Sequence, residues 1–429
     1  MKTINIGLVG FGTIGSGVVK VLQSRRLYLK KKTGLDIKIK WICDKDLKMK
    51  RSVKVGKKIL TRSIGKVLYD PGIDIVVELV GGIHPAKDIV MEALRQGKHV
   101  VTANKALISE FGGEIFRLAD ELGLSVGFEA SVGGGVPIIK ALRESFVANR
   151  LDVIYGIVNG TSNFILSKMA EEGLSFGDAL ASAQGLGYAE RNSYLDVSGQ
   201  DSCHKLSILA LLGFGISARP SIIYTEGIER IEPVDISFAK ELGYALKSLA
   251  IAKKDGDALD LRVHPTLIPK SHLLANVNGV YNAIFVKGDL IGEQLFYGEG
   301  AGAAPTSSAV ISDIISIASH TSGCLKLKKA TFSKKEARVV EKIGEIRTKY
   351  YMRFSAVDKP GVLARVSGIL GKHKISIASV TQKARKAQKI VPIVMMTHEA
   401  LESDMAAALK EIDALSMMKR KTVRVRVEG

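Results

Sequence analysis

Residues 4–15, INIGLVGFGTIG, set a mostly apolar run directly before three glycines spaced as GxGxxG. A run of this kind reads as a buried strand, and the glycines permit a tight turn into a helix whose first amides can hold a pyrophosphate. Gly10, Phe11, Gly12, Thr13, Ile14 and Gly15 are therefore candidate dinucleotide contacts. The helix runs to about residue 32, and the strand after it, DIKIKWICD, ends at Asp44. An acidic residue at that point can bond a ribose 2′-hydroxyl. Lys45, Lys48, Lys50 and Arg51 crowd it and could accept a 2′-phosphate, so NAD and NADP both stay open. Further strands at DIVVELV, KHVVTA and LSVGFEA alternate with helices near 85–96 and 113–122. Alternation at this spacing predicts βαβ units and a doubly wound parallel sheet.

Beyond about Ser131 the pattern changes. Helical stretches (VPIIKALRESF, NFILSKMAEE, FGDALASAQGLG, DSCHKLSILALLGF) mix with strands that alternate apolar and polar residues, LDLRVHPTLI, GVYNAIFVKG and IGEQLFYG. That predicts an α+β domain on a largely antiparallel sheet. A glycine-rich loop, GEGAGAAPTSS, leads into AVISDIISIAS, a helix long enough to pack back on the first domain. Residues 325–349 hold nine Lys or Arg against three Glu and read as a linker. The remainder, from KYYMRFSAV to KTVRVRVEG, reads β-α-β-β-α-β, a ferredoxin-like unit.

With 429 residues, 46% hydrophobic and 24% charged, the chain can bury more than one core. No apolar run is long enough to span a bilayer, and the strand-like opening does not read as a cleavable leader. Cys43, Cys203 and Cys324 are far apart and odd in number, which argues against a disulfide framework or zinc site and suits a reduced cytoplasm. The net charge of +19 is scattered over RRLYLKKK, KDLKMKR and the linker, with no aromatic signature of RNA binding. It predicts attraction of anionic metabolites, with neither nucleic acid nor membrane as partner.

Three stretches carry chemistry. VVTANKALIS puts Lys105 just beyond the end of a parallel strand, the side where ligands of such sheets bind. Residues 189–205, AERNSYLDVSGQDSCHK, set Glu190, Asp196, Asp201 and Lys205 ahead of an apolar run. A helix entering a core needs one cap, not three carboxylates and a lysine. Asp201 and Lys205, one turn apart, share a helix face, which alone fits an intrahelical ion pair as well as a site. In EASVGGGVPII, Glu129 precedes three glycines, and loop carbonyls beside a carboxylate suit a hard cation.

GFGTIGSG after its strand, VVTANK, EASVGGGVPII, GIVNGTSNFIL, GYAE…D…GQD…HKLSILA and GEGAGAAPTSS follow one another as in homoserine dehydrogenases. The chain resembles a monofunctional member with a C-terminal ACT domain over essentially all of residues 3–320, and the tail matches chiefly through DKPGVL. The resemblance implies NAD- or NADP-dependent, reversible interconversion of L-homoserine and L-aspartate-4-semialdehyde in threonine, methionine and isoleucine biosynthesis. It implies that Glu190, Asp196 and Asp201 hold substrate, and that Lys205 or Lys105 does acid–base work on the alcohol oxygen, with Asp201 as the lysine's neighbour. Gly160, Thr161 and Tyr188 match substrate-pocket positions, and Gly81, Lys105 and Gly302 cofactor positions. Glu129 with Val132, Gly134 and Val136 matches a monovalent-cation loop for Na+ or K+, the last three acting through carbonyls. Asp358, Pro360 and Gly361 match the ACT turn that binds an amino-acid effector, expected to be threonine, and a homodimer or homotetramer is implied. Arg191-Asn192-Ser193 departs from the family's usual Ala/Pro-Asp-Pro after the glutamate, so the loop lacks a proline and a negative charge.

The expected organisation is α/β. A Rossmann-type domain spans residues 1–130, completed by 305–324, and an α+β catalytic, substrate-binding and dimerisation domain spans 131–304. A basic linker over 325–347 leads to an ACT regulatory domain over 348–429, which the sequence suggests can be cut away after about Lys342 to leave an active enzyme. The rival readings are another Rossmann amino-acid dehydrogenase, which would lack VNGTSN and the Lys205 helix, and a non-catalytic amino-acid sensor, which a turnover assay would separate.

Overall fold

The computed structural model describes residues 2–256, 258–320, 340–382 and 390–429. Residues 321–324 of the expected closing helix and 325–339 of the expected linker lie outside the described residues. The chain forms two compact units: Met1–Leu151, His204–Pro220 and Asn282–Ala337 make the first, and Asp152–Cys203, Ser221–Tyr281 and Arg338–Gly429 the second.

In the first unit β1 (Lys2–Val9), β2 (Leu35–Cys43), β3 (Leu60–Thr61), β4 (Ile75–Glu78), β5 (His99–Thr102) and β6 (Val126–Gly127) line up as β3-β2-β1-β4-β5-β6. All the ladders are parallel. β4 is buried at every position, as parallel strands covered on both faces are. Strand order reverses between β1 and β4, which opens a crevice at their carboxyl ends. The helix Ala303–His320 brings Val310, Ile311 and Ile314 onto the core of Ile6, Leu8, Val18 and Val19. Each such side chain contributes about 1.5–3 kcal/mol relative to exposure. A Cβ on Gly17 would lie 2.4 Å from Ser307 Oγ, so this helix and the helix Thr13–Ser24 approach closely.

In the second unit β7 (Leu151–Ile157), β9 (Tyr244–Asp255) and β10 (Ala258–Pro269) run antiparallel, and the short β8 (Tyr224–Thr225) pairs with β10. In the first unit, which takes the chain up again at Asn282, β11 (Tyr281–Gly288) and β12 (Gly292–Glu299) pair with each other. The tail supplies β13 (Arg347–Val357), β14 (Ile377–Gln382), β15 (Ile390–Thr397), β16 (Ala400–Leu401) and β17 (Met418–Val427), with helices Val362–Lys372 and Glu402–Asp413. Its strand order, β17-β13-β15-β14, is the ferredoxin-like arrangement expected of an ACT domain.

Local pattern gave no hint of how the tail is held. β17 pairs in parallel with β10, Thr266 opposite Arg426 and Leu267 opposite Val427, so β7-β9-β10-β17-β13-β15-β14 is one continuous run. Side chains alternate along β13. Tyr350, Met352 and Phe354 join the tail's own core with Val366, Leu370, Met405 and Ile412. Tyr351 enters a second core with Phe164, Met169, Ile236, Phe238 and Leu246.

Buried ion pairs reinforce this seam. Arg353 donates to Asp235 at 2.7 and 3.0 Å and to Glu232 at 2.8 Å, and Tyr351 hydroxyl donates to Asp235 at 3.0 Å. Arg426 bridges Glu402 at 2.6 and 2.8 Å and Glu226 at 3.0 Å. Arg262 joins Asp260 and Glu428, and Tyr155 hydroxyl donates to Glu428 at 3.0 Å. Cutting the chain after Lys342 would strip β17 from β10 and leave Arg262, Asp235 and Glu226 without these tail partners. The β10 ladder therefore replaces the picture of a removable appendage. Removing one member of a buried pair strands the other charge. Asp235→Asn should cost about 3 kcal/mol or more in urea unfolding, whereas Glu293→Gln, which breaks an exposed pair with Lys287, should leave the midpoint unchanged.

Candidate active site

The glycine turn after β1 is sterically fixed. Gly10 has φ +97°, and a Cβ there would lie 2.5 Å from Leu79 O, while at Gly15 it would lie 2.1 Å from Gly10 O. Gly12 differs: a Cβ there would meet nothing within 4 Å. No side chain caps the helix Thr13–Ser24, and its first turn holds no acidic residue. Its amides and dipole are thus available to an anion, as a dinucleotide pyrophosphate requires. Asp44 accepts from Phe11 N–H at 2.6 Å and Asp46 N–H at 2.8 Å, so it braces the turn. Arg51 lies over the Phe11 ring at 4.6 Å and donates to Phe11 O at 2.6 Å.

The carboxyl ends of β4 and β5 are locked by a chain of hydrogen bonds. Buried Glu78 accepts from Val80 N–H at 2.7 Å, Gly81 N–H at 3.3 Å and Thr102 hydroxyl at 2.6 Å. Thr102 Oγ1 accepts from Asn104 N–H at 3.0 Å. Asn104 caps the helix Lys105–Glu121 by accepting from Leu107 N–H at 3.1 Å, and donates to Gly82 O at 2.5 Å. The TANK motif thus has a division of labour: threonine and asparagine fix the turn, and half-buried Lys105 opens the helix beside Gly81 and Gly82.

One turn along that helix, Ser109 Oγ shares a 2.7 Å hydrogen bond with His204 Nδ1 and donates to Ala106 O at 3.1 Å. His204 immediately precedes Lys205 on the helix Gln200–Phe214. Ser207 Oγ on the same helix donates to Ala218 O at 2.5 Å. Lys105 and Lys205 therefore stand on helices that are pinned together within a turn of each.

Asp201, 6% exposed, and Lys205, 8% exposed, lie one turn apart on the helix Gln200–Phe214. In the second unit Asn159, at the N-cap of the helix Gly160–Glu172, donates to Asp196 at 2.7 Å and to Asp201 at 2.8 Å. Thr161 hydroxyl donates to Tyr188 O at 2.5 Å, and the Tyr188 ring sits 5.1 Å from that of Phe164. A Cβ on Gly160 would lie 2.5 Å from Val280 O. The structure thus gathers Gly160, Thr161, Tyr188, Asp196 and Asp201, while Glu190 is exposed on the adjoining loop, where its carbonyl accepts from Gln184.

The EASVGGG loop closes on the second glycine-rich loop. Gly135 N–H donates to Glu299 O at 3.2 Å, and a Cβ on Gly134 would lie 2.6 Å from Gly300 O, two residues before Gly302 at φ +112°. Glu129 accepts from Ile139 and Lys140 N–H at 2.9 and 3.0 Å, and its own N–H donates to Asp313 at 2.8 Å. Burial, then the nearby Asp313, pushes the Glu129 carboxyl up to about 7, and burial raises Asp313 to about 6. Lys140 Nζ, 3.6 Å from Asp313, offsets part of this buried charge. In the tail, Gly361 has φ +86° at the uncapped start of the helix Val362–Lys372, with Asp358 and Pro360 exposed before it.

Glu78, Thr102, Asn104, Ser109, Asn159 and His204 were not singled out in the sequence. Asn104 and Asn159 carried a local signal, each as an N-cap residue type just before a helix.

The chain is similar to known proteins in sequence and fold. A family model for homoserine dehydrogenase matches residues 137–315, one for the homoserine dehydrogenase NAD binding domain matches residues 10–129, and one for the ACT domain matches residues 350–416. A homoserine dehydrogenase of Neisseria gonorrhoeae is 42% identical over 436 residues, covering 100% of this chain and 99% of that protein. The crystal structure of a homoserine dehydrogenase from Thiobacillus denitrificans superposes with a TM-score of 0.94 at 44% identity, covering 100% of this chain and 99% of the other. A hyperthermophilic archaeal homoserine dehydrogenase mutant in complex with NADPH superposes with a TM-score of 0.64 at 26% identity, over 75% of this chain and 98% of the other.

Asn104→Ala removes a helix cap and the tie to Gly82. It should cost about 1 kcal/mol in denaturant unfolding and weaken nicotinamide-dinucleotide binding measured by fluorescence titration.

Proposed function

The chain belongs to the homoserine dehydrogenase family, and from that premise we propose how its residues divide the oxidation of L-homoserine to L-aspartate-4-semialdehyde. Asp196 and Asp201 hold the substrate ammonium group, with Glu190 closing over it from the exposed loop. Gly160, Thr161 and Tyr188 line the same pocket. Lys205, in its neutral form, takes the alcohol proton, and Lys105 orients the alcohol oxygen at the cofactor end. In the reverse direction Lys205 returns the proton to the aldehyde oxygen. The nicotinamide, when bound, supplies the hydride acceptor. The observation that carries this reading is the buried Asp201 and Lys205 one turn apart on a single helix, which offers a substrate anchor and a proton acceptor at fixed separation.

The dinucleotide pyrophosphate sits over Gly10 to Gly15. Asp44 already accepts from two backbone N–H groups, and Arg51 with Lys45, Lys48 and Lys50 surrounds it, so NADP is accepted at least as well as NAD. Gly81 and Gly302 approach the nicotinamide half. A monovalent cation, Na+ or K+, bound by the carbonyls of Val132, Gly134 and Val136 would offset the buried charge of Glu129. The ACT turn at Asp358, Pro360 and Gly361 binds threonine, whose carboxylate suits the uncapped helix start, and the enzyme works as a homodimer or homotetramer in the cytoplasm.

Two measurements check these roles. Lys205→Ala should lower kcat for homoserine oxidation by about 10²-fold or more with cofactor KM little changed, and near-normal turnover would remove Lys205 from the mechanism. Threonine should inhibit the full chain, and Asp358→Ala should raise the threonine needed without altering kcat in its absence, because an effector acts only through differential affinity for two states.

A further inference from the structure

Asn159 stands where three parts of the second unit meet. It is 5% exposed, follows the last residues of β7, and uses both ends of its amide. Its Oδ1 accepts from Ser162 N–H at 2.8 Å, capping the helix Gly160–Glu172. Its two Nδ2 hydrogens go to different carboxylates, Asp196 Oδ1 at 2.7 Å and Asp201 Oδ2 at 2.8 Å, which lie 37 and 42 residues further along the chain. Turning the amide over would set its oxygen against two carboxylates and its NH2 against the Ser162 N–H, so this network admits one orientation. The helix behind it is fixed as well, since Asn163 donates to the carbonyls of Val277, Gly279 and Tyr281 at 3.1, 3.0 and 3.3 Å.

Two carboxylates within reach of one nitrogen repel each other and would splay apart if nothing bridged them. A lysine or arginine in the bridging place would cancel charge that a cationic ligand needs. An amide bridges both while adding no charge of its own. It also fixes one oxygen of each carboxylate, which sets where the other can point.

We propose that Asn159 is the positioning residue of the substrate-ammonium site, acting through Asp196 and Asp201. The proposal rests on the assignment of those two carboxylates to the substrate. Homoserine affinity is therefore tuned by a side chain that touches no substrate, and the requirement is for the α-ammonium group rather than for the alcohol or cofactor.

The test is steady-state kinetics on the full-length enzyme with Asn159→Ser, which keeps a capping oxygen and removes both donors. Homoserine KM should rise about tenfold or more, the scale of losing a hydrogen bond to a charged group, while cofactor KM and the thermal midpoint hold. In an Asp196→Asn background the same substitution should add far less, since part of its effect runs through Asp196. Should the serine variant fold poorly, Asn159→Asp, nearly isosteric and an equally good cap, replaces the donors with a third carboxylate and should raise homoserine KM further. Unchanged homoserine KM in the Asn159 variants, with a raised KM in Asp196→Asn and Asp201→Asn, overturns the positioning role and leaves the site assignment standing. Fully additive effects in the double variant overturn it too. Normal homoserine kinetics in both aspartate variants overturns the site assignment, and this proposal with it.

Discussion

A carboxylate and an amine buried one helical turn apart, Asp201 and Lys205, set the terms for the rest of the active site. Side chains at that spacing lie within about 5–6 Å of each other at Cβ, and the helix backbone holds the spacing without help. The carboxylate in the first turn is favoured by the helix dipole. What the surrounding structure must supply is the placement of this helix and of the groups that face it. Asn159 meets Asp201 at the helix start, and Ser109 meets His204 beside Lys205. On the proposed function, the several charges ahead of the apolar run at residues 206–211 are anchors and a proton carrier, not a cap.

The cofactor end relies on backbone rather than on charge. Gly10 and Gly15 are required by close contacts, Gly12 leaves space, and the uncapped helix beyond them offers amides. The Glu78, Thr102 and Asn104 chain does for the Lys105 loop what Asn159 does for the carboxylates: it satisfies buried polar groups in one arrangement and thereby selects that arrangement. The tail follows another logic. Its last strand completes a sheet, and Arg353, Arg426 and Glu428 are buried against charges from the middle of the chain. An effector at the Gly361 turn would act on a domain integrated into the second unit, so small shifts of β13 or β17 would load buried ion pairs directly.

The parallel sheet was legible because five of its six strands announce themselves locally, β1 as an apolar run before glycines and β4 as an apolar run, while the two-residue β3 is too short to leave a pattern. The ferredoxin-like tail was legible for the same reason, with β13 alternating at period two. The β10–β17 ladder was not, because register between strands so far apart in sequence leaves no mark on either strand's own pattern. Ion pairs such as Arg426 with Glu226, 200 residues apart, are equally silent. For the site, motif order nominated Lys105, Asp196, Asp201 and Lys205, the residues on which the proposed function rests. It could not reveal that Asn159 joins two of them, since an asparagine before a helix reads as a cap and its second function depends on distant partners. Glu190 shows the reverse: the motif names it, yet its side chain is exposed on the loop where Arg191-Asn192-Ser193 departs from the family.

The most direct test is the structure of an abortive complex with L-homoserine and reduced nicotinamide cofactor, which cannot turn over. The account predicts the ammonium nitrogen within about 3.2 Å of oxygens of both Asp196 and Asp201, and the alcohol oxygen within hydrogen-bond reach of Lys205 Nζ. An ammonium group held elsewhere, or a Lys205 amine more than about 5 Å from the alcohol with no bridging water, would contradict it.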